Sequence, residues 1–290
     1  MSKACRLMLT LTLLLWLAPA VQALPLWELQ GSSNTIRILG SIHFLRAEDY
    51  PLPQAIGKAY QLADVVIMEL DLDDLNPLEV PLLVQRLALD PKGRDLEKLL
   101  GRRDFEAARK GVTAMQIDMA GLKAYEPWYA ALQITQLRLV QLGFDPSYGI
   151  ESKIVGLAAQ DGKEIRGLET IEQQLGTLDA LPPAAQRDFL MQTIDEAAEI
   201  GADLDGILTA WRRGDVATLE KDLLAGLAEQ PELYDRILVQ RNRHWAKEIG
   251  QITHDRQNYL IVVGTLHLVG KDSLLAMLQA QGYPSRQIQE

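Results

Sequence analysis

Two apolar runs in this 290-residue chain end on the same tetrad, Gly-x-x-His, 224 positions apart. The first is residues 35–39 followed by Gly40, Ser41, Ile42 and His43; the second is residues 259–263 followed by Gly264, Thr265, Leu266 and His267. Each run reads as a buried strand. In a sheet of parallel strands the strand ends share one edge, which is where open α/β folds place ligands, so the two imidazoles are predicted to meet. Imidazole ligates metals and moves protons near neutral pH, and the glycine before it lets backbone or ligand approach closely. A lone histidine after a strand more often fills a core or caps an element. Here the same context recurs in two of only four histidines, which points to a shared site. His244, in an arginine-rich helical stretch, and His254, in a polar turn, lack that context and read as solvated or capping residues.

The amino terminus has the pattern of a secretory leader, residues 1–23: Lys3 and Arg6, an apolar core over residues 7–18, then Val21, Gln22 and Ala23 as a small-residue cleavage site. The mature chain is expected to begin near Leu24. The apolar run, broken at Pro19, is short for a membrane span, and no stable insertion is expected once the leader is removed. Cys5 is the only cysteine, so the mature chain has neither thiol nor disulfide, which points to a Gram-negative periplasm. Without Lys3 and Arg6 the formal charge moves from −10 to −12. Such an acidic surface repels nucleic acid and anionic lipid, so neither is an expected partner. Residues 24–290 are enough for one large domain with a substantial core.

Strands are expected at residues 36–39, 64–70, 163–168 and 259–263, and an amphipathic helix at 52–62 completes a βαβ unit with the first two. Residues from about 76 to 160 read as a helical insertion or cap. Thr170 is a candidate N-cap for a helix over 171–181, and further helices are predicted at 184–200, 204–213, 216–229, 232–252 and 273–281. The expected class is α/β: a mostly parallel central sheet flanked by helices, with a large helical insertion.

That arrangement brings His43, Glu69, Glu169 and His267 to one sheet edge. Glu69 closes an apolar run, Val65-Val66-Ile67-Met68, and a carboxylate there must be paired, hydrogen-bonded or metal-bound. Two imidazoles and a carboxylate form a common first shell for a divalent metal that keeps a position open. His43 and His267 with one carboxylate are therefore the expected ligands, a further carboxylate of that edge the expected general base, and Arg241 a bidentate holder of a substrate carboxylate or oxyanion. Glu151, after Tyr148-Gly149, is a weaker candidate that reads equally as a helix cap. Asp71, Asp73 and Asp74 read as a solvated turn, since Leu75 and Asn76 stand where a calcium loop wants a ligand and a glycine. There is no Gly-x-Ser-x-Gly elbow, His-Glu-x-x-His helix, phosphate loop or mature-chain cysteine nucleophile.

Gly40 to His43, the 65–69 strand, Tyr148-Gly149-Ile150, Gly167-Leu168-Glu169-Thr170 with Gln173, Arg241-Asn242, and Val263 to Gly270 come in an order that resembles the TraB/GumN family, which includes the Tiki proteases. The resemblance spans residues 27–283. It implies a Tiki/erythromycin-esterase/ChaN-like fold and a metal-dependent peptidase favouring Mn2+ or Co2+, with Zn2+ a further option. It also implies metal roles for His43, Glu69 and His267, which leaves Glu169 as the further, catalytic carboxylate with Arg241 in a supporting role, and a peptide or small-molecule substrate. The same scaffold serves esterases and haem-binding proteins, so two alternatives stand beside this reading. One is a metal-free esterase using a histidine base and a glutamate; the other is a non-catalytic protein that captures a peptide or small ligand.

Overall fold

The computed structural model describes residues 23–289; the residues read as a leader, up to 22, lie outside the described residues. Strands β1 (Ala23–Gln30), β2 (Thr35–Ser41), β3 (Val65–Met68), β4 (Ile165–Gly167), β5 (Tyr259–Gly264) and β6 (Ser285–Gln289) form one sheet in the order β4-β3-β5-β2-β1-β6. The first four strands of that order are mutually parallel, whereas β1 pairs antiparallel with both β2 and β6. The sheet is thus mixed. Neither β1 nor β6 is among the strands expected from sequence: the apolar residues of β1 continue the leader-like apolar pattern of the sequence before it, and Ser285-Arg286-Gln287-Ile288-Gln289 is a polar edge strand without an apolar period.

All six residues of β5 are buried. Successive side chains of a strand face opposite ways. Accordingly Leu260 and Val262 join Leu39, Val66 and Met68 in the core on one face, and Tyr259, Ile261 and Val263 join Ile36, Ile38 and Ile67 on the other. Each such aliphatic side chain contributes roughly 1.5–3 kcal/mol on burial. This double-sided demand seats β5 in the middle, between β2 and β3, so the two strands of the expected βαβ unit are parallel but not adjacent.

Helix α1 (Gln54–Gln61) returns the chain from β2 and buries Ala55, Ile56, Ala59 and Tyr60, a one-sided helical spacing. Between β3 and β4 come α2 (Glu79–Ala88), α3 (Leu96–Leu100), α4 (Arg102–Ala114), α5 (Pro127–Gln141) and α6 (Ile150–Asp161). Proline at its first position starts α5, and Gly143 at φ +85° follows it where an L side chain is disfavoured. Between β4 and β5 come α7 (Ile171–Asp179), α8 (Pro183–Arg213), α9 (Val216–Leu224), α10 (Pro231–Tyr234), a π-helical turn (Asp235–Gln240) and α11 (Arg241–Ile252); α12 (Leu274–Ala280) precedes β6. Thr170 caps α7 as expected, in a reciprocal box with Gln173.

Two predicted helices, 184–200 and 204–213, are one continuous α8. Gly201 does not break it. A Cβ there would lie 3.3 Å from Leu142, so this glycine serves close packing rather than termination. Leu190 and Ile194 of α8 share a third core with Leu96, Phe105, Val112 and Ile134, so the helical lobe over the sheet edge draws on both the 79–161 and the 171–224 segments.

Candidate active site

The two tetrads lie side by side because β2 and β5 are neighbours, with Ser41 in register with Gly264. Thr265 Oγ1 donates to the Ser41 carbonyl at 2.9 Å, and Trp211 Nε1 of α8 donates to the Gly40 carbonyl at 2.7 Å, fixing both turns. Glu69 and Glu169 follow the adjacent strands β3 and β4, and the Glu169 N–H donates to the Glu69 carbonyl at 3.0 Å. All four residues predicted to share the sheet edge are therefore there.

His43 Nδ1 lies 2.8 Å from Glu151 Oε1, and Ser41 Oγ donates to the same oxygen. Glu151 opens α6, whose first N–H, from Ile150, donates to the Ile42 carbonyl at 3.1 Å. Gly149 permits this docking, since a Cβ there would fall 2.2 Å from the His43 carbonyl oxygen. The Glu151 carboxylate raises the His43 imidazole to about 9. Burial would raise Glu151 itself, but the His43 charge and the two hydrogen bonds hold it below the usual carboxylate range. The weaker of the sequence candidates is thus the direct partner of the first histidine. The His43 side chain remains 55% exposed, toward the cavity described below.

His267 is buried at 4% exposure. Its Nδ1 donates to Asn242 Oδ1 at 2.6 Å, and the Asn242 amide donates onward to the Asp272 carbonyl at 2.9 Å. That bond fixes the tautomer, leaving a lone pair on Nε2. Burial pushes His267 down to about 3, so the ring is neutral, and it packs on Trp245 with centroids 4.4 Å apart.

Arg241 follows the π-helical turn directly, a feature often found at functional sites. A guanidinium has five N–H donors, and each finds an acceptor within the protein. Nε donates to Glu169 at 3.1 Å; Nη1 donates to the Ile237 carbonyl and to His267 Nε2, both at 3.1 Å; Nη2 donates to Glu69 Oε2 at 2.6 Å and Glu169 Oε1 at 2.7 Å. The guanidinium therefore clamps the protein's own carboxylates instead of offering a fork to substrate. Glu69 also accepts from the Gly264 N–H at 2.7 Å and from Gln174 at 3.1 Å. Burial alone would raise Glu69; attraction by the cationic forms of His267, Arg241 and His43, with the Gly264 N–H, holds it at about 2. Since His267 is neutral, Arg241 is the permanent part of that attraction. Gln173, named in the family-like motif, is occupied by the α7 cap, and its neighbour Gln174 reaches the site instead.

These groups floor a cavity of about 480 Å³ beneath the helical lobe, lined by Ser41, His43, Glu69, Arg241 and His267 on one side and by apolar side chains, mostly aliphatic with Phe44, Phe144 and Phe189 among them, on the other. Glu169 is 5% exposed and faces Arg241, not this cavity. The expected base is consequently turned away from the space a substrate would enter. His244 and His254 are exposed, as expected, with His254 3.1 Å from Ser32 Oγ. Asp71, Asp73 and Asp74 lie in the turn after β3, outside the cavity lining.

The family model for TraB/PrgY/gumN matches residues 25–287, nearly the whole described chain. The chain belongs to that family. Among curated TraB/PrgY/gumN relatives, the chain is similar to the uncharacterized protein YbaP of Escherichia coli (strain K12) and to YbaP of Shigella flexneri. Each is 25% identical over 242 residues, covering 83% of this chain and 87% of the relative. No solved structure gives a significant match.

For this TraB/PrgY/gumN chain the metal expectation rests on donor type and orientation. Among the described residues no three acidic, histidine or cysteine groups converge as a closed metal cluster. Yet both imidazoles are held at Nδ1 by a side-chain oxygen, the outer-shell pattern that orients metal-binding histidines. A Cβ on Gly264 would lie 3.2 Å from His43 Nε2 and 3.3 Å from Glu69 Oε1, so the bare glycine leaves a cradle between two of the donors. In kind and orientation the set fits a divalent ion. Arg241 Nη1 donates to the third donor, His267 Nε2, so a metal would compete with the guanidinium there.

Proposed function

We propose that this protein is a metal-dependent hydrolase that cleaves a carbonyl linkage, in a peptide or small molecule, at the cavity floor. The observation that carries this reading is the matched pair of imidazoles, each tethered at Nδ1 and directed by Nε2 toward the Glu69 region. A divalent ion such as Mn2+, Co2+ or Zn2+, held by His43 Nε2, His267 Nε2 and Glu69, would polarise the carbonyl and acidify a water. Glu151 retains the proton at His43 Nδ1, so Nε2 stays directed at the cradle. Asn242 does the same for His267. Arg241 balances the charge of Glu69 and Glu169 and so acts as a positioning residue. The aliphatic wall excludes bulk water, which strengthens every electrostatic contact at the floor.

One observation favours a second, metal-free reading. The Arg241 guanidinium already satisfies Glu69 Oε2 and His267 Nε2. In that case His43, raised to about 9, carries a proton on Nε2 at neutral pH and delivers it to the leaving group as a general acid. Placement outside the cytoplasm belongs to the same proposal and rests on the leader-like pattern of residues 1–23. No helix among the described residues is long and apolar enough to cross a membrane.

The test is hydrolysis of peptide and nitrophenyl-ester panels by the purified protein, with EDTA and with Mn2+, Co2+ or Zn2+ restored, alongside metal content of His43→Ala and His267→Ala. Loss in EDTA, rescue by metal and metal-poor variants support the first reading. Full activity in EDTA, abolished by His43→Ala, selects the second. Ligand binding with no turnover of any substrate rejects both. Fractionation of the native host, with the mature amino terminus read by mass spectrometry, tests export.

A further inference from the structure

The cavity above the site is built for something other than a polypeptide strand. Its far wall is assembled from Leu139 of α5, Leu178 of α7, Leu204 and Leu208 of α8, Leu223 of α9 and Ile237 of the π-helical turn. Thr177 is the one hydroxyl-bearing side chain on that wall, and its Oγ1 already donates to the Gln173 carbonyl at 2.9 Å. The wall's backbone is helical, so its N–H and C=O groups are spent within the helices. An extended peptide threaded along it would bury backbone donors and acceptors with no partner, at a cost for each group. A hydrocarbon chain has no such groups and gains from every methylene it removes from water. The aromatic side chains of the lining are Phe44, Phe144 and Phe189, with no Trp and no Tyr to bring a hydrogen-bonding edge to sugars and polar rings.

The polar end sets the other half of the ligand. At and behind the floor Arg241 is paired with Glu69 and Glu169, and His43 with Glu151, so carboxylates outnumber fixed cations there. An anionic head meets no free cation there, whereas a neutral carbonyl can approach His43. We infer that the cavity takes one aliphatic acyl chain, its neutral ester or amide carbonyl seated at the His43 and Glu69 floor and its hydrocarbon tail in the helical lobe. This deepens the hydrolase proposal and rests on it only for the fate of the head group. In the hydrolytic step a water oxygen bonds to the carbonyl carbon, the C–O or C–N bond breaks, and the leaving atom takes a water proton.

Binding is measured by calorimetry with two neutral probes, N-butanoylglycinamide and N-decanoylglycinamide, on the wild type and on His43→Ala, Leu204→Trp and Leu178→Trp. The decanoyl probe is expected to bind at least ~100-fold tighter than the butanoyl probe, a lower bound for six methylenes removed from water. Each tryptophan variant, with circular dichroism matching the wild type, is expected to lose that ratio while keeping butanoyl binding. If one variant fails to fold, the other serves. Chain-length preference retained in an inactive His43→Ala leaves the inference standing whatever becomes of hydrolysis; its retention in a wild type that turns over nothing removes only the hydrolase reading. Equal affinity for the two probes, or tighter binding of acetyl-Leu-Leu-Leu-amide than of the decanoyl probe, overturns the inference.

Discussion

His43 Nδ1 and Glu151 Oε1 are 2.8 Å apart although 108 residues separate them, and the pair is closed by Ser41 Oγ on the same oxygen. The carboxylate orients the ring and supplies the charge that raises it. Glu151→Gln keeps the shape and removes the charge. Mn2+ binding, followed by calorimetry, is expected to weaken by roughly 10–100-fold, the usual consequence of losing an orienting partner. Unchanged affinity would show that Glu151 is only a helix-terminal residue.

Asn242→Ala strips the buried His267 Nδ1–H of its acceptor. The uncompensated donor should cost about 1–3 kcal/mol in urea unfolding, measured at neutral pH where the ring is uncharged. A loss below the error of the extrapolation would refute the assigned tautomer.

Two glycines at the start of and inside α6, Gly149 and Gly156, are expected to respond with opposite sign. A methyl at Gly149 meets the His43 carbonyl, backbone against backbone, so Gly149→Ala should destabilise by roughly 2–3 kcal/mol. Gly156 lies inside α6 with nothing within 4 Å of an added Cβ, so Gly156→Ala should stabilise by about 0.5–1 kcal/mol. Thermal melts of the two single variants check the pair.

At Gly264 the added methyl would press on His43 Nε2 and Glu69 Oε1 at 3.2 and 3.3 Å, distances that small side-chain shifts can relieve. Gly264→Ala should therefore lower stability by less than about 1.5 kcal/mol yet weaken Mn2+ binding at least ~10-fold. Intact binding in a folded variant would mean that no ligand enters the cradle.

Tyr60 supplies a pH signature away from the site. Burial, then the hydrogen bond to Asp161, push its hydroxyl up to about 12. Between the ordinary value of 10.0 and that raised value the unfolded chain loses the proton that the folded chain keeps, so stability must fall as pH rises across the window. The fall attributable to this residue approaches roughly 2–3 kcal/mol. Denaturation of wild type and Tyr60→Phe at pH 9 and pH 12 gives it by difference; parallel declines would contradict it.

Much of the site is legible in the sequence, and what is not has physical causes. The tetrads, the Glu69 anomaly and the Thr170 cap are local patterns, and the convergence of strand ends on one edge follows from parallel pairing alone. Glu151 looked like a helix cap because its partner is brought in only when α6 docks on the turn after β2. Gln174 and Trp245 sit on helices whose facing residues no single segment names. A sequence shows a guanidinium's capacity but not its engagements, so nothing in it ties Arg241 to Glu69 and Glu169 rather than to substrate, or turns Glu169 away from the cavity. The two helices expected at 184–200 and 204–213 are one because Gly201 packs against Leu142, which lies on another segment.

Alternation of apolar runs, helical periods and the doubled Gly-x-x-His by themselves determined an α/β sheet with two histidines at one rim. Only the tertiary structure decided which oxygen holds each imidazole, which carboxylates Arg241 binds, and that the rim opens into an apolar chamber. Backbone pairing is written in short-range periodicity, whereas the partner of a side chain is settled by which surfaces pack against each other.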